Sequence, residues 1–243
     1  MLRLVQIEGA WGLPNISPAC MKLETWLRMA GVPYTVAPLD MTQAPKGKIP
    51  YVIEEDGTLL GDSTFIIEHL KATRGVDPDA GLTAEQRAIT VAFRRMLKEN
   101  FYWVIIHERY KDERNWPPYR EVLAERLHFL PEEQRVPAAD AYRKLLVDQL
   151  QGQGLGRHTP EEVYRIGRED LGAVSDFLGA KAFFLGERPS TVDATVYAYV
   201  SSMIDMGLPS PVKDFGRSRE NLVRYCQRMR ERYFPELAAA ARR

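Results

Sequence analysis

The chain has 243 residues, with 33 Lys and Arg against 33 Asp and Glu, a formal net charge of zero, 45% hydrophobic and 27% charged side chains. That balance leaves no net field favouring nucleic acid or an anionic membrane, and the composition is that of a soluble globular protein of one large or two modest domains. No apolar run approaches the roughly 20 residues that cross a bilayer, the Met1-Leu2-Arg3 start lacks a signal-peptide layout, and Cys20 and Cys226 lie too far apart to suggest a framework of bridges, so a cytoplasmic, reducing location is expected.

In chain order, residues 2–8 are predicted as a buried strand. Ser17-Pro18-Ala19-Cys20 then opens a helical pattern over 18–30, with Pro at the first helical position and Gly31 suited to a left-handed cap. Residues 34–39 read as a second strand. Pro38 cannot donate to a central ladder, so this strand belongs at an edge or ends early. Two further strands, 51–53 and 58–60, flank Glu54-Glu55-Asp56-Gly57, a hairpin signal, and a helix follows over 63–72. The order is β-α-β, then β-β-α: a parallel pair followed by an antiparallel hairpin.

Gly75-Val76-Asp77-Pro78-Asp79-Ala80-Gly81 is a linker, and helix alone is predicted beyond it. Thr83-Ala84-Glu85-Gln86 starts a helix along which Ile89, Phe93, Met96, Leu97 and Phe101 recur at helical spacing, until Trp116-Pro117-Pro118 breaks it. Further helices are predicted over 119–129, 138–151, 160–178, 191–206 and 218–231, giving an α/β domain at 1–75 and an all-α domain at 82–243. Ser190-Thr191-Val192-Asp193 reads as a capping box with Asp193 in place of Glu, a folding element.

Several residues bear a chemical reading beside a structural one. Ser17 caps the helix at Pro18; the same hydroxyl and helix N–H groups stabilise an anion, and would lower a thiol placed there below its free value of roughly 8.5. Asn15 is a competing donor in that loop, and Cys20 feels the same helix end, as a small core residue or as a thiol capable of a mixed disulfide. With Ser17 in the place of a partner cysteine, a dithiol cycle within the motif is excluded. Asp62 and Ser63 each fit an N-cap. Phe101-Tyr102-Trp103 with Tyr110 reads either as core or as the lining of a hydrophobic pocket. His69, His107, His128 and His158 show no metal-ligand spacing, and Gly152-Gln153-Gly154-Leu155-Gly156 follows a helix instead of the strand a phosphate loop needs.

The ordered set of a first strand, Ser17-Pro18-Ala19-Cys20 at a helix start, Lys48-Ile49-Pro50-Tyr51 and Gly61-Asp62-Ser63-Thr64 resembles the thioredoxin-like half of a glutathione transferase. The resemblance implies a thioredoxin-like domain followed by an all-α transferase domain, with glutathione as substrate, no metal, and a hydrophobic electrophile as second substrate. It implies that Ser17 stabilises the thiolate, that Pro50 is cis, and that the Ile49 backbone pairs with the cysteinyl unit. Ser63 would take the γ-glutamyl carboxylate and Asp62 its amine, while Lys46 and Lys48, otherwise solvated, would neutralise the glycyl carboxylate. Trp11 would contact the electrophile, and a homodimer is expected. The runs 17–31, 152–158, 189–196 and 225–232 look like the metaxin and failed-axon-connections branch, whose animal members are not established transferases. A non-catalytic interaction module, or a Cys20-dependent thiol transfer, is therefore the alternative to conjugation.

Overall fold

The computed structural model describes residues 1–240; the last three residues of the predicted all-α domain lie outside them. Strands β1 (Leu2–Val5), β2 (Tyr34–Ala37), β3 (Tyr51–Ile53) and β4 (Leu59–Gly61) form one sheet in the order β2-β1-β3-β4. β1 runs parallel to β2 and antiparallel to β3, and β3 pairs antiparallel with β4, the thioredoxin-like arrangement expected. β2 lies at an edge and also stops at Ala37, just before Pro38, so both outcomes expected from that proline are seen. β1 ends at Val5 and not at residue 8, for a reason its neighbours supply. Its last partners are Ala37, just before Pro38, and Tyr51, just after Pro50, so neither flanking chain offers a further N–H to the ladder.

Side chains alternate across the sheet. Leu2, Leu4 and Val52 face helices α1 (Pro18–Ala30) and α2 (Ser63–Arg74), while Val5, Tyr51 and Ile53 form a smaller cluster on the opposite face. Gly31 ends α1 in the left-handed region at φ 65°, as predicted.

Helices α3 (Ala84–Arg95) and α4 (Tyr102–Ile106) are joined and extended by two π-helical segments, Met96–Phe101 and His107–Lys111, into one helical run over 84–111. This run ends at Asp112, so Pro117 and Pro118 do not break a helix. They occupy the first turn of α5 (Trp116–Arg126), where missing N–H groups cost nothing. α6 (Glu132–Gln153) starts six residues before the predicted 138 and carries Pro137 inside it. α7 (Pro160–Leu178) matches the prediction, α8 (Thr191–Ile204) is shorter by two residues, and α10 (Glu220–Tyr233) is shifted by two. α9 (Pro211–Ser218) was not anticipated, being too short for a periodic signal, though Ser210-Pro211 marks its start; α11 (Pro235–Ala240) follows α10.

α8 is buried along nearly its whole length and is the element against which α1 packs. The predicted capping box is present. The Asp193 carboxylate, 0% exposed, accepts from the backbone N–H of Phe184 (2.7 Å) and Ser190 (2.8 Å), and from the hydroxyls of Ser190 and Tyr225 (both 3.0 Å). The next-door Thr191 joins the two halves of the chain: its Oγ1 accepts from the Trp26 indole at 3.2 Å, and its N–H donates to Asp79 Oδ1 at 2.7 Å. Asp193→Ala leaves three donors unpaired in the core, since the Tyr225 hydroxyl keeps the residue-193 carbonyl at 3.1 Å, and is expected to destabilise the protein by about 2–4 kcal/mol, measured by urea denaturation.

Candidate functional site

Ser17 is the N-cap of α1, in extended conformation (φ −93°, ψ 120°), and its Oγ accepts from the Cys20 N–H at 3.4 Å. The oxygen thus serves as the cap while its own proton remains available to donate. Asn15 does not compete for that task. It is fully buried, its amide nitrogen bonds the Ile7 carbonyl and its Oδ1 accepts the Ser17 N–H at 2.9 Å, so both ends brace the loop.

Cys20 corrects the thiol-transfer expectation. It is 0% exposed, and burial pushes its thiol up to about 12, overriding the Ser17 hydroxyl and the Ile7 backbone, which pull it down. A low, accessible thiol at the helix start required solvent; here the sulfur faces the core. Cys226 is buried and pushed up in the same way.

α2 begins beside α1. Asp62 is its N-cap, with Oδ1 accepting the Thr64 N–H at 2.8 Å and Oδ2 accepting from Lys98 Nζ at 3.0 Å. Burial raises the Asp62 carboxyl, but these donors outweigh it and hold the group below the usual carboxylate range. Ser63 is buried, and Lys22 Nζ donates to Thr64 Oγ1 at 2.9 Å, tying the first turns of the two helices together. The Ile49–Pro50 bond is cis, as the resemblance implied. Lys48 is exposed, and Lys46 is exposed with Nζ 4.5 Å from the centre of the Phe65 ring. Among the described residues, the non-glycine positions at positive φ are Trp11 (53°), Lys46 (62°) and Asp62 (73°), all in the candidate set. Such strain persists where surrounding structure imposes it, and it concentrates at functional sites.

The helical half completes the site through residues sequence reasoning missed. The first π segment places Lys98 on Asp62. The second places Arg109, buried, with its guanidinium on the Ile16 carbonyl (2.6 Å) and the Ser202 carbonyl (2.9 Å), directly behind Ser17. Arg126 Nε donates to the Gly9 carbonyl at 2.9 Å. Trp11, 37% exposed, stacks on Tyr119 with ring centres 6.2 Å apart and closes on Gly207. Of the aromatic cluster, Phe101 and Tyr110 belong to the core, whereas Tyr102 is half-buried and within electrostatic reach of Cys20, Arg109 and Tyr119. None of these long-range partners leaves a local signature: a lysine or arginine on a helix reads as solvated until its neighbour is known.

Two surface hollows lie elsewhere. One of about 560 Å³ is flanked by Arg165, Arg168 and Phe215, and one of about 470 Å³ by Lys111, Asp140 and Arg143. Both are open and rimmed by charged side chains, and neither contains a residue of the candidate set, so the converging helix starts are the better site. Among the described residues no cluster of His, Cys, Asp and Glu suits a metal ion, and no helix is long and apolar enough to cross a membrane.

Two outcomes follow from this geometry. Iodoacetamide at pH 8 is expected to label neither cysteine in the native protein and both after denaturation, read by mass spectrometry. A Cβ on Gly207 would lie 2.8 Å from the Trp11 ring. Gly207→Val should therefore cost about 1–3 kcal/mol in the parent chain, and much less in a Trp11→Ala background, read as a double-mutant cycle.

Comparison with known proteins fits this geometry. Residues 18–115 match the glutathione S-transferase N-terminal domain and residues 167–229 the C-terminal domain. The chain is 36% identical to the isoprene-epoxide–glutathione S-transferase of Rhodococcus sp. strain AD45, covering 96% of this chain and 99% of that protein. It is 31% identical to Failed axon connections of Drosophila melanogaster and to human metaxin-1, spanning 59% and 50% of their lengths. Among solved structures, glutathione transferase GSTFuA3 from Phanerochaete chrysosporium superposes with a TM-score of 0.64 at 15% identity over 96% of this chain and 97% of that one, and shows the shared fold. The β-etherase LigF from Sphingobium sp. strain SYK-6 does so at 0.61 and 16% identity, over 98% and 99%. Matched at both domains and along nearly its whole length, the chain belongs to the glutathione S-transferase family, in the branch that also includes metaxins and Failed axon connections.

Proposed function

We propose that residues 1–75 bind glutathione across the starts of α1 and α2, and that the protein transfers its sulfur to a hydrophobic electrophile near Trp11, Tyr102 and Tyr119. The observation that carries this reading is the Ser17 hydroxyl: it caps α1 by accepting and still has a proton to donate. A thiol brought from the solvent side meets that proton and the positive helix end, and ionises more readily. Cys20, on the core side of the same turn, meets a cost of burial that outweighs the help of the Ser17 hydroxyl and the Ile7 backbone.

In the proposal Ser63 and the first N–H groups of α2 hold the γ-glutamyl carboxylate, Asp62 its amine, Ile49 the cysteinyl backbone, and Lys48 the glycyl carboxylate. The end-to-end similarity to an isoprene-epoxide transferase supports small epoxides as the substrate class. The thiolate attacks an epoxide carbon, a C–S bond forms as a C–O bond breaks, and the alkoxide takes a proton. In the proposal Tyr102 gives it, a reading supported by burial that pushes its phenol up to about 12 and keeps it protonated. Proximity and thiolate population supply the rate. The proposal includes a cytoplasmic location, which buried unpaired cysteines suit, and the homodimer of the family resemblance.

Calorimetric titration with reduced glutathione, and conjugation of isoprene monoepoxide followed by chromatography, test the reading. Ser63→Ala is expected to weaken binding, and Ser17→Ala to lower kcat on the order of 100-fold by analogy with loss of one oxyanion donor. Absence of binding at about 10 mM ligand, a floor of roughly −3 kcal/mol, would sink the transferase reading and favour the interaction module.

A further inference from the structure

Lys22 stands out among the charged groups of the site. It is 1% exposed, and its single hydrogen bond, to Thr64 Oγ1 at 2.9 Å, leaves amine valences unused at the start of α2. Two more cations converge there. Lys98 is on Asp62, and Arg94, half-buried, makes no hydrogen bond or ion pair among the described residues. The charged neighbours of Lys22 are Lys98 and Arg94 from the long helix, and Asp62 and Glu68 from the start and body of α2. From α8, on another side of α1, comes Tyr199, within electrostatic reach of Asp62, Glu99 and Cys20. The Lys22 amine thus sits among two cations, Lys98 and Arg94, and two acids, half-buried Asp62 and exposed Glu68, so that charging it leaves one positive charge in excess. The excess charge matches an anionic ligand, and the free protein relieves it most cheaply by leaving the buried amine uncharged.

We propose that Lys22, buried with one hydrogen bond at the start of α2, is a proton-uptake group coupled to occupancy of this site: it binds one proton when the carboxylate of a γ-glutamyl ligand settles there. The inference rests on the glutathione reading and adds its pH regulation. Burial, then Lys98 and Arg94, pushes the free amine down to about 7. A bound carboxylate opposes all three. The complex then holds more protons than the free protein, so affinity falls as pH rises above neutrality, by up to about tenfold per unit for one proton.

The test is calorimetric titration with S-methylglutathione, which has no thiol proton to lose, in phosphate and in Tris between pH 6 and 8.5. The wild-type heat is expected to depend on the buffer, with uptake near zero at pH 6 and above about half a proton at pH 8. Lys22→Met and Lys22→Arg should both bind without uptake, with affinities that vary little with pH. The arginine variant also serves if the methionine variant folds poorly. Buffer-independent heat in the wild type, or uptake persisting in a variant that binds, overturns the role of Lys22 and leaves the glutathione site standing. A wild-type protein that binds no S-methylglutathione overturns the glutathione reading itself, and this inference with it.

Discussion

The junction of α1 with α8 is the constraint on which the site depends. α1 carries Ser17 at its start, and its other end is held by residues of the helical domain. Trp26 bonds Thr191, and Arg28 donates to the Tyr233 carbonyl (2.8 Å) and Glu236 (2.7 Å) while lying 4.3 Å from the centre of the Phe234 ring. Glu24, buried, ties the same turn to the sheet by accepting from Gln6 (2.7 Å) and Tyr34 (2.8 Å). α8 can serve as a reference surface because Asp193 fixes its first turn with four hydrogen bonds inside the core, where a loose polar group would be costly. Ala194 even belongs to the cluster that packs the sheet against α1 and α2. The two domains therefore share one register, and the position of Ser17 relative to the helical wall is set by packing and not by a hinge.

The long helix over 84–111 meets that register twice. A regular α-helix keeps side chains on one drifting face; each π segment inserts a change of phase. The first brings Lys98 to Asp62, the second brings Arg109 to the loop carbonyl before Ser17. Both insertions fall where the helical domain touches the candidate site, and the strained backbone of Trp11 and Asp62 falls there too. Local irregularity in this protein is thus concentrated where the two domains exchange polar contacts.

Electrostatics at the site has a direction. Two helix starts point partial positive charge at one region, and Arg94 and Lys98 add to it, in a chain whose net charge is zero. The same field cannot activate Cys20, since a charge in the core loses hydration that the helix end does not replace. Solvent access is what Cys20 lacks, and the thiol of the protein is therefore silent at its own helix start.

The sequence by itself determined the order of strands and helices up to the linker, the edge position or early end of β2, the cap at Gly31 and the Asp193 capping box, because each rests on a residue whose own backbone chemistry forces the outcome. Proline lacks a donor, glycine tolerates a left-handed turn, and a serine–aspartate pair satisfies a helix start wherever it occurs. Ser17, Asp62 and Ser63 were legible as caps for the same reason. Only the tertiary structure decided that Asn15 is a brace, that Cys20 is sealed in the core, and that Lys22, Lys98 and Arg109 belong to the site. The last three depend on partners 42, 36 and 93 residues away in the chain. A side chain's burial and charge environment are properties of what packs on it, and no local pattern encodes a neighbour so distant.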